Sequence, residues 1–157
     1  MITGVRVILF CEQIDDSGGA VSALGLWDYT LCAGNRPGAV EATLLVQVEL
    51  DPSPTRGHLR VEVTDAYDEI FPFDFTTAAP VTAMMLPLLL PALDEGEVWV
   101  SVVDEATDKP WRYRWALNFA PDAVPLGPSA SEIAATCREA ATALRRGLTG
   151  LGALSPQ

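Results

Sequence analysis

The residues of this chain that could do chemistry are few, and most are carboxylates set in turns. "FCEQIDDSGG" at 10–19 ends an apolar run with Cys11 and Glu12, then gives Asp15, Asp16, Gly18 and Gly19. Asp65, Asp68 and Glu69 share a second acidic turn, and Asp104, Glu105 and Asp108 share a third. Calcium takes about six to eight oxygens, which loop carboxylates gathered at one end of a sheet structure supply. Asp65, Asp68, Asp104 and Asp108 are therefore the candidate Ca2+ ligands, provided the last two turns meet. Solvated hairpin turns are the alternative reading, and no EF-hand spacing is present. His58 is the one histidine, so a zinc site would rest on cysteines that lack ligand spacing. No G-x-S-x-G turn and no glycine-rich phosphate loop occurs.

Two aromatic segments carry the remaining options. In "PWRYRWALNF" the aromatics Trp111, Tyr113 and Trp115 alternate with Arg112 and Arg114. In a strand this alternation sends the rings to one face and the guanidiniums to the other, so one base could not touch both. Core aromatics with a solvated arginine stripe are expected. In "GLWDYTL" at 25–31, Trp27 and Tyr29 share a phase. If Leu24 and Leu26 face the core, that pair is outside and forms an interface or ligand platform; the opposite phase buries it.

The elements that must position these residues have a period of two. Leu44, Val46, Val48 and Leu50 alternate with polar neighbours, as do Leu59, Val61 and Val63. Val98, Val100 and Val102 and the run Phe71, Phe73 and Phe75 do the same. Such alternation marks strands with one face in a core and one in water, the habit of antiparallel sheets. Turn signals such as "DDSGG", "AGNRPG", "DPSPTRG" and "DEATDKP" separate the runs. About eight strands at this spacing predict an all-β antiparallel sandwich or barrel. Pro72 fits only an edge strand or bulge, and Pro87 and Pro91 are expected to end or distort the strand that holds them. "CEQIDDSGG" reads as a plain hairpin turn in which Gly18 and Gly19 supply positive φ.

After "NFAPDAVPLGP" the pattern becomes helical. Ser129 and Glu132 have capping-box spacing. Ile133, Cys137, Ala140, Ala141, Leu144, Leu148 and Leu151 recur at helical spacing. Arg145 and Arg146 suit the last turn, and Gly147 and Gly150 read as stops, for a helix of about 17 residues. The division expected is a sandwich over 1–122 and a linker with helix over 123–157. The helix either covers its own sandwich or packs on another chain through Ile133, Cys137, Leu144 and Leu148.

With 157 residues the chain is long enough for one self-sufficient core. Its net charge of −11 opposes contact with nucleic acid and with anionic membranes. "MITGVRVILFCEQI" is broken by Gly4 and Arg6 and does not read as a signal peptide. "VTAMMLPLLLPAL" falls short of the ~20 residues that a membrane span needs. A cytoplasmic location is expected. If 5–12 pairs with 20–31 about a turn at 16–17, Cys11 lies opposite Ser22 and Cys32 lies at the far end of the ladder. At ~3.3 Å per residue the two are then tens of Å apart, too far for a disulfide. Buried, reduced thiols are expected.

The order of elements resembles a group of small bacterial proteins catalogued as a domain of unknown function. The shared features are "VRVILFCEQI" ending in Cys-Glu, a glycine turn, "ALGLWDYTL", the "VEVTDAYDE" hairpin and the "LDEGEVWVSVVDE" strand. The resemblance covers about residues 5 to 119. It implies an immunoglobulin-like or C2-like sandwich and implies no activity or cofactor. The helix from Ser129 onward lies outside it. The expected function is a non-enzymatic interaction or scaffolding module with a protein partner or a second copy of itself. The rival is a module that binds Ca2+ or a small ligand through acidic loops.

Overall fold

The computed structural model of the chain describes residues 2–15, 22–27, 30–50, 55–65, 67–77, 81–125 and 127–152. Among them are nine strands and one helix. The strands are β1 (Ile2–Asp15), β2 (Ser22–Leu26), β3 (Thr30–Asn35), β4 (Gly38–Leu50), β5 (Thr55–Asp65), β6 (Glu69–Thr77), β7 (Val81–Ala92), β8 (Gly96–Asp104) and β9 (Lys109–Val124). The helix α1 spans Ala130–Gly152. One sheet has the order β2-β1-β4-β7 and the other β3-β9-β8-β5-β6. Their inner faces share one core, in which Phe10, Leu44, Val46, Val48, Leu59, Val61, Val63, Phe71, Val98, Val100 and Val102 are fully buried. The alternation in sequence is thus the alternation of a two-sheet, all-β sandwich.

Three expectations about the strands change. The ladder is not wholly antiparallel, because β3 runs parallel to β9. Residues 22–31 do not form one long hairpin arm either. β2 pairs with β1, in the register Cys11↔Leu26 and not Cys11↔Ser22. Gly25 has φ of 68°, a backbone state closed to most L-residues, and a Cβ there would meet the Glu12 side chain at 2.7 Å. Soon after it the chain leaves this sheet, and 30–35 joins the other. Cys32 is therefore in the opposite layer from Cys11, not further along its ladder. The three cysteines are free; Cys11 and Cys137 are buried, while Cys32 is half-buried. The turn at 16–21, with Gly18 and Gly19, lies outside the described residues.

The third change is that β7 runs straight through Pro87 and Pro91. It pairs only with β4, so it is an edge strand. Prolines spaced by four share one phase, and an edge strand tolerates a missing N–H on its unpaired side. Pro72 also stands on an edge strand, β6.

α1 closes the flank where the edges β7 and β6 lie. Ile133, Cys137 and Ala141 are buried in the common core, with Leu144 and Leu148 packed against it. The helix therefore packs on its own sandwich, and β9 continues two residues beyond the expected boundary at 122, to Val124. Ser129 caps it as the spacing predicts. The Glu132 amide donates to Ser129 Oγ at 3.3 Å, and the Ser129 amide donates to Glu132 Oε2 at 3.0 Å. Gly147 and Gly150 do not stop the helix, which runs on to Gly152. Arg145 and Arg146 therefore miss the last turn. Arg145 instead donates to Glu69 on β6 and lies 5.7 Å above the Phe71 ring. Among the described residues no helix is long and apolar enough to cross a membrane.

Candidate functional site

The four proposed calcium ligands do not come together. Leu59 pairs with Asp104, whereas Asp65 pairs with Val98, so the two acidic turns sit at opposite ends of the β5–β8 ladder. Six steps of strand separate them by about 20 Å. Asp104 is buried, and its carboxylate accepts hydrogen bonds from the Ile2 amide at 3.2 Å and the Ala106 amide at 3.0 Å. It braces the β8–β9 turn and ties it to β1 in the other sheet. Asp108 occupies the left-handed region, with φ of 54°, and pairs with Arg60. Asp68 is exposed, and the Asp65 side chain lies outside the described residues. Among the described residues no three His, Cys, Asp or Glu side chains converge as metal ligands. His58 is exposed on β5 and pairs through Nδ1 with Asp74 on β6.

The proposed interface residues also take other places. Trp27 is half-buried against the core, with its Nε1 buried and without a hydrogen-bond partner among the described residues. It is no open platform, and Tyr29 lies outside the described residues. Ile133, Cys137, Leu144 and Leu148 face the chain's own sheets. In β9, Trp115 and Leu117 are buried as expected, but Tyr113 is 51% exposed. Among the described residues β3 pairs with the second half of β9, from Ala116 onward, and none pairs with that side of the first half, where Tyr113 lies.

The arrangement with most chemistry lies on the outer face of the five-stranded sheet. Register aligns Ile70, Glu62, Ser101 and Arg112 in one row across β6, β5, β8 and β9. The row on one side holds Pro72, Arg60, Val103 and Pro110; the row on the other holds Thr64, Trp99 and Arg114. Ser101 is only 5% exposed, because long neighbouring side chains roof it. Arg112 Nε donates to Ser101 Oγ at 3.1 Å, and its guanidinium carbon lies 4.6 Å from the centre of the Trp99 ring. Arg114 flanks the same ring at 5.8 Å and donates to Glu97. An indole between two guanidiniums holds both by cation–π attraction, about 0.5–1 kcal/mol each at an exposed site.

Arg60 completes the group. Its Nε donates to Glu62 at 2.6 Å and its Nη2 to Asp108 at 3.0 Å. Those bonds, Glu62 first and Asp108 second, raise the pKa of a guanidinium that is always charged in any case. Between Arg60 and Arg112 lies an open basin of about 260 Å3, lined also by Glu62, Thr64, Ser101, Val103, Asp108 and Pro110. Arg60 answers both carboxylates there. Arg112 has no carboxylate partner among the described residues.

Trp99 is the member that reasoning along single strands misses. Arg112 and Arg114 do lie opposite the aromatics of their own strand, yet the ring that contacts them comes from β8. The signal was its phase: Trp99 alternates out of step with Val98, Val100 and Val102, so it had to face outward.

No protein-family model matches the chain, and no curated protein matches it in sequence.

Proposed function

We propose that this chain is a non-enzymatic protein-interaction module, with the outer face of the five-stranded sheet as its contact surface. The observation that carries the reading is Arg112, laid on Trp99 above a buried Ser101 and left without a carboxylate partner among the described residues. Tryptophan and arginine dominate the binding energy of protein interfaces, and a guanidinium held in place loses little entropy when it binds. The basin offers poor equipment for catalysis. The Ser101 hydroxyl accepts from a guanidinium, which is no base, and Glu62 is occupied by Arg60. The likeness to the bacterial group of unknown function supports an immunoglobulin-like or C2-like type of sandwich. Free thiols support a cytoplasmic setting. The net charge of −11 favours a protein partner or a second copy over nucleic acid or an anionic membrane.

Site-directed photocrosslinking in cells tests this. A photoreactive residue at Ile70, 50% exposed at the rim of the basin, is expected to give a discrete adduct that Trp99→Ala removes. The same residue at the exposed Arg138 of α1 is expected to give none. A self-adduct identifies a homo-oligomer, and a second protein identifies a different partner. Equal adducts from both positions, or none from Ile70, would overturn the reading.

A further inference from the structure

We propose that the basin between Arg60 and Arg112 binds one carboxylate side chain from a partner segment whose neighbouring residues are apolar. This deepens the reading above and rests on it. The basin is rich in donors: the free ends of the Arg112 guanidinium, and the hydroxyls of Ser101 and Thr64. Planar guanidinium nitrogens match the two oxygens of a carboxylate. Ser101 and Trp99 fix the guanidinium in advance, so its fork needs no reordering when a ligand arrives.

The charges that face the basin set the rest. Arg60 and Arg112 are opposed by Glu62 and Asp108. Glu62 is tied to Arg60 at 2.6 Å with its side chain 27% exposed, whereas Asp108 is 80% exposed and holds Arg60 through one bond of 3.0 Å. Asp108 thus occupies a position that an incoming carboxylate takes over, bridging Arg60 and Arg112 while Asp108 returns to water. At about 260 Å3 the basin is below the ~300–1,000 Å3 usual for whole small molecules and suits a single side chain. Ile70, Pro72 and Pro110 are exposed around it and give the flanking residues apolar contact. An extended acidic tract would meet the chain's net charge of −11, which limits the ligand to an isolated carboxylate among apolar neighbours.

The test is titration of the full chain with a capped hexapeptide that carries one glutamate flanked by leucine and alanine, followed by tryptophan fluorescence. The same peptide with glutamine in place of the glutamate, and orthophosphate alone, serve as controls. The glutamate peptide is expected to bind about ten-fold more tightly than the glutamine one. Arg112→Gln is expected to remove that preference, and Asp108→Asn to tighten binding by freeing Arg60. Equal affinity for the two peptides overturns the inference, as does orthophosphate that binds as well as the glutamate peptide. If the peptide fails while Ile70 still crosslinks, the carboxylate assignment falls and the interaction surface stands. If the peptide binds while crosslinking fails, the basin stands and the interaction reading falls.

Discussion

Asp104 is a turn residue by its sequence and a brace by its position. A buried carboxylate that accepts two backbone amides, one from its own turn and one from β1 in the other sheet, holds the turn closed and fixes where β1 begins. Asp104→Ala leaves both amides without their acceptor, and each hydrogen bond to a charged group is worth about 1.5–3 kcal/mol net. A loss of about 3 kcal/mol in urea unfolding is expected, with Asp104→Asn milder because the amide oxygen still accepts. An unchanged midpoint for Asp104→Ala would show that the turn closes without it. None of this is legible in "VVDEATDKP", where Asp104, Glu105 and Asp108 look alike. What separates them is Ile2, about a hundred residues away in sequence. The arginine stripe was legible, because parity within one strand places Arg112 and Arg114 on one face. Trp99 and Ser101 beneath them were not, because register between strands is carried by turn geometry and not by period.

At the scale of elements, what a segment packs against decides how far its sequence can be trusted. The alternating runs became strands because alternation and burial on one side are one fact stated twice. The exceptions had outside causes. Residues 22–31 look continuous, but 22–26 pair with β1 and 30–31 with β9 in the other sheet, and β7 keeps its prolines because only one of its sides is paired. α1 outruns Gly147 because its inner face, from Ile133 to Leu148, is already anchored on the sandwich, and tertiary contact outweighs a local stop signal. Two substitutions follow. Gly147 is exposed, and a Cβ there would meet nothing within 4 Å, so Gly147→Ala should stabilise the chain by about 0.5–1 kcal/mol. Ser129→Ala breaks the capping box and should cost about 1 kcal/mol. Thermal melts of the two variants should shift in opposite directions. A fall for Gly147→Ala would mean that the glycine serves a bend in the helix.

For the whole molecule, burying groups that ionise in alkali couples the fold to pH. Burial pushes the thiols of Cys137 and Cys11 above their ordinary value of 9.0. It also pushes the Tyr67 hydroxyl well above its ordinary 10.0, with the charges of Glu69 and Cys137 adding to the rise and Arg145 opposing it. Below about pH 9 these groups are protonated in folded and unfolded chains alike, and their contribution to stability is fully present. Above that the unfolded chain releases protons that the folded chain keeps. Each such group then draws the equilibrium toward unfolding by up to about 1.4 kcal/mol per pH unit until its raised folded value is passed. The melting temperature is therefore expected to hold from pH 7 to near 9 and then to fall steeply. Growth of the net charge beyond −11 would add self-repulsion in the same range, and two variants separate the effects. Tyr67→Phe removes a buried hydroxyl that has no hydrogen-bond partner among the described residues, so at pH 7 it should be at least as stable as the parent. Combined with Cys137→Ala, it should show a shallower fall above pH 9, because two of the three buried ionising groups are gone, with only Cys11 left, while the surface charge is unchanged. Parallel slopes for the double variant and the parent would show that the alkaline loss comes from surface repulsion or Cys11 and not from Tyr67 and Cys137.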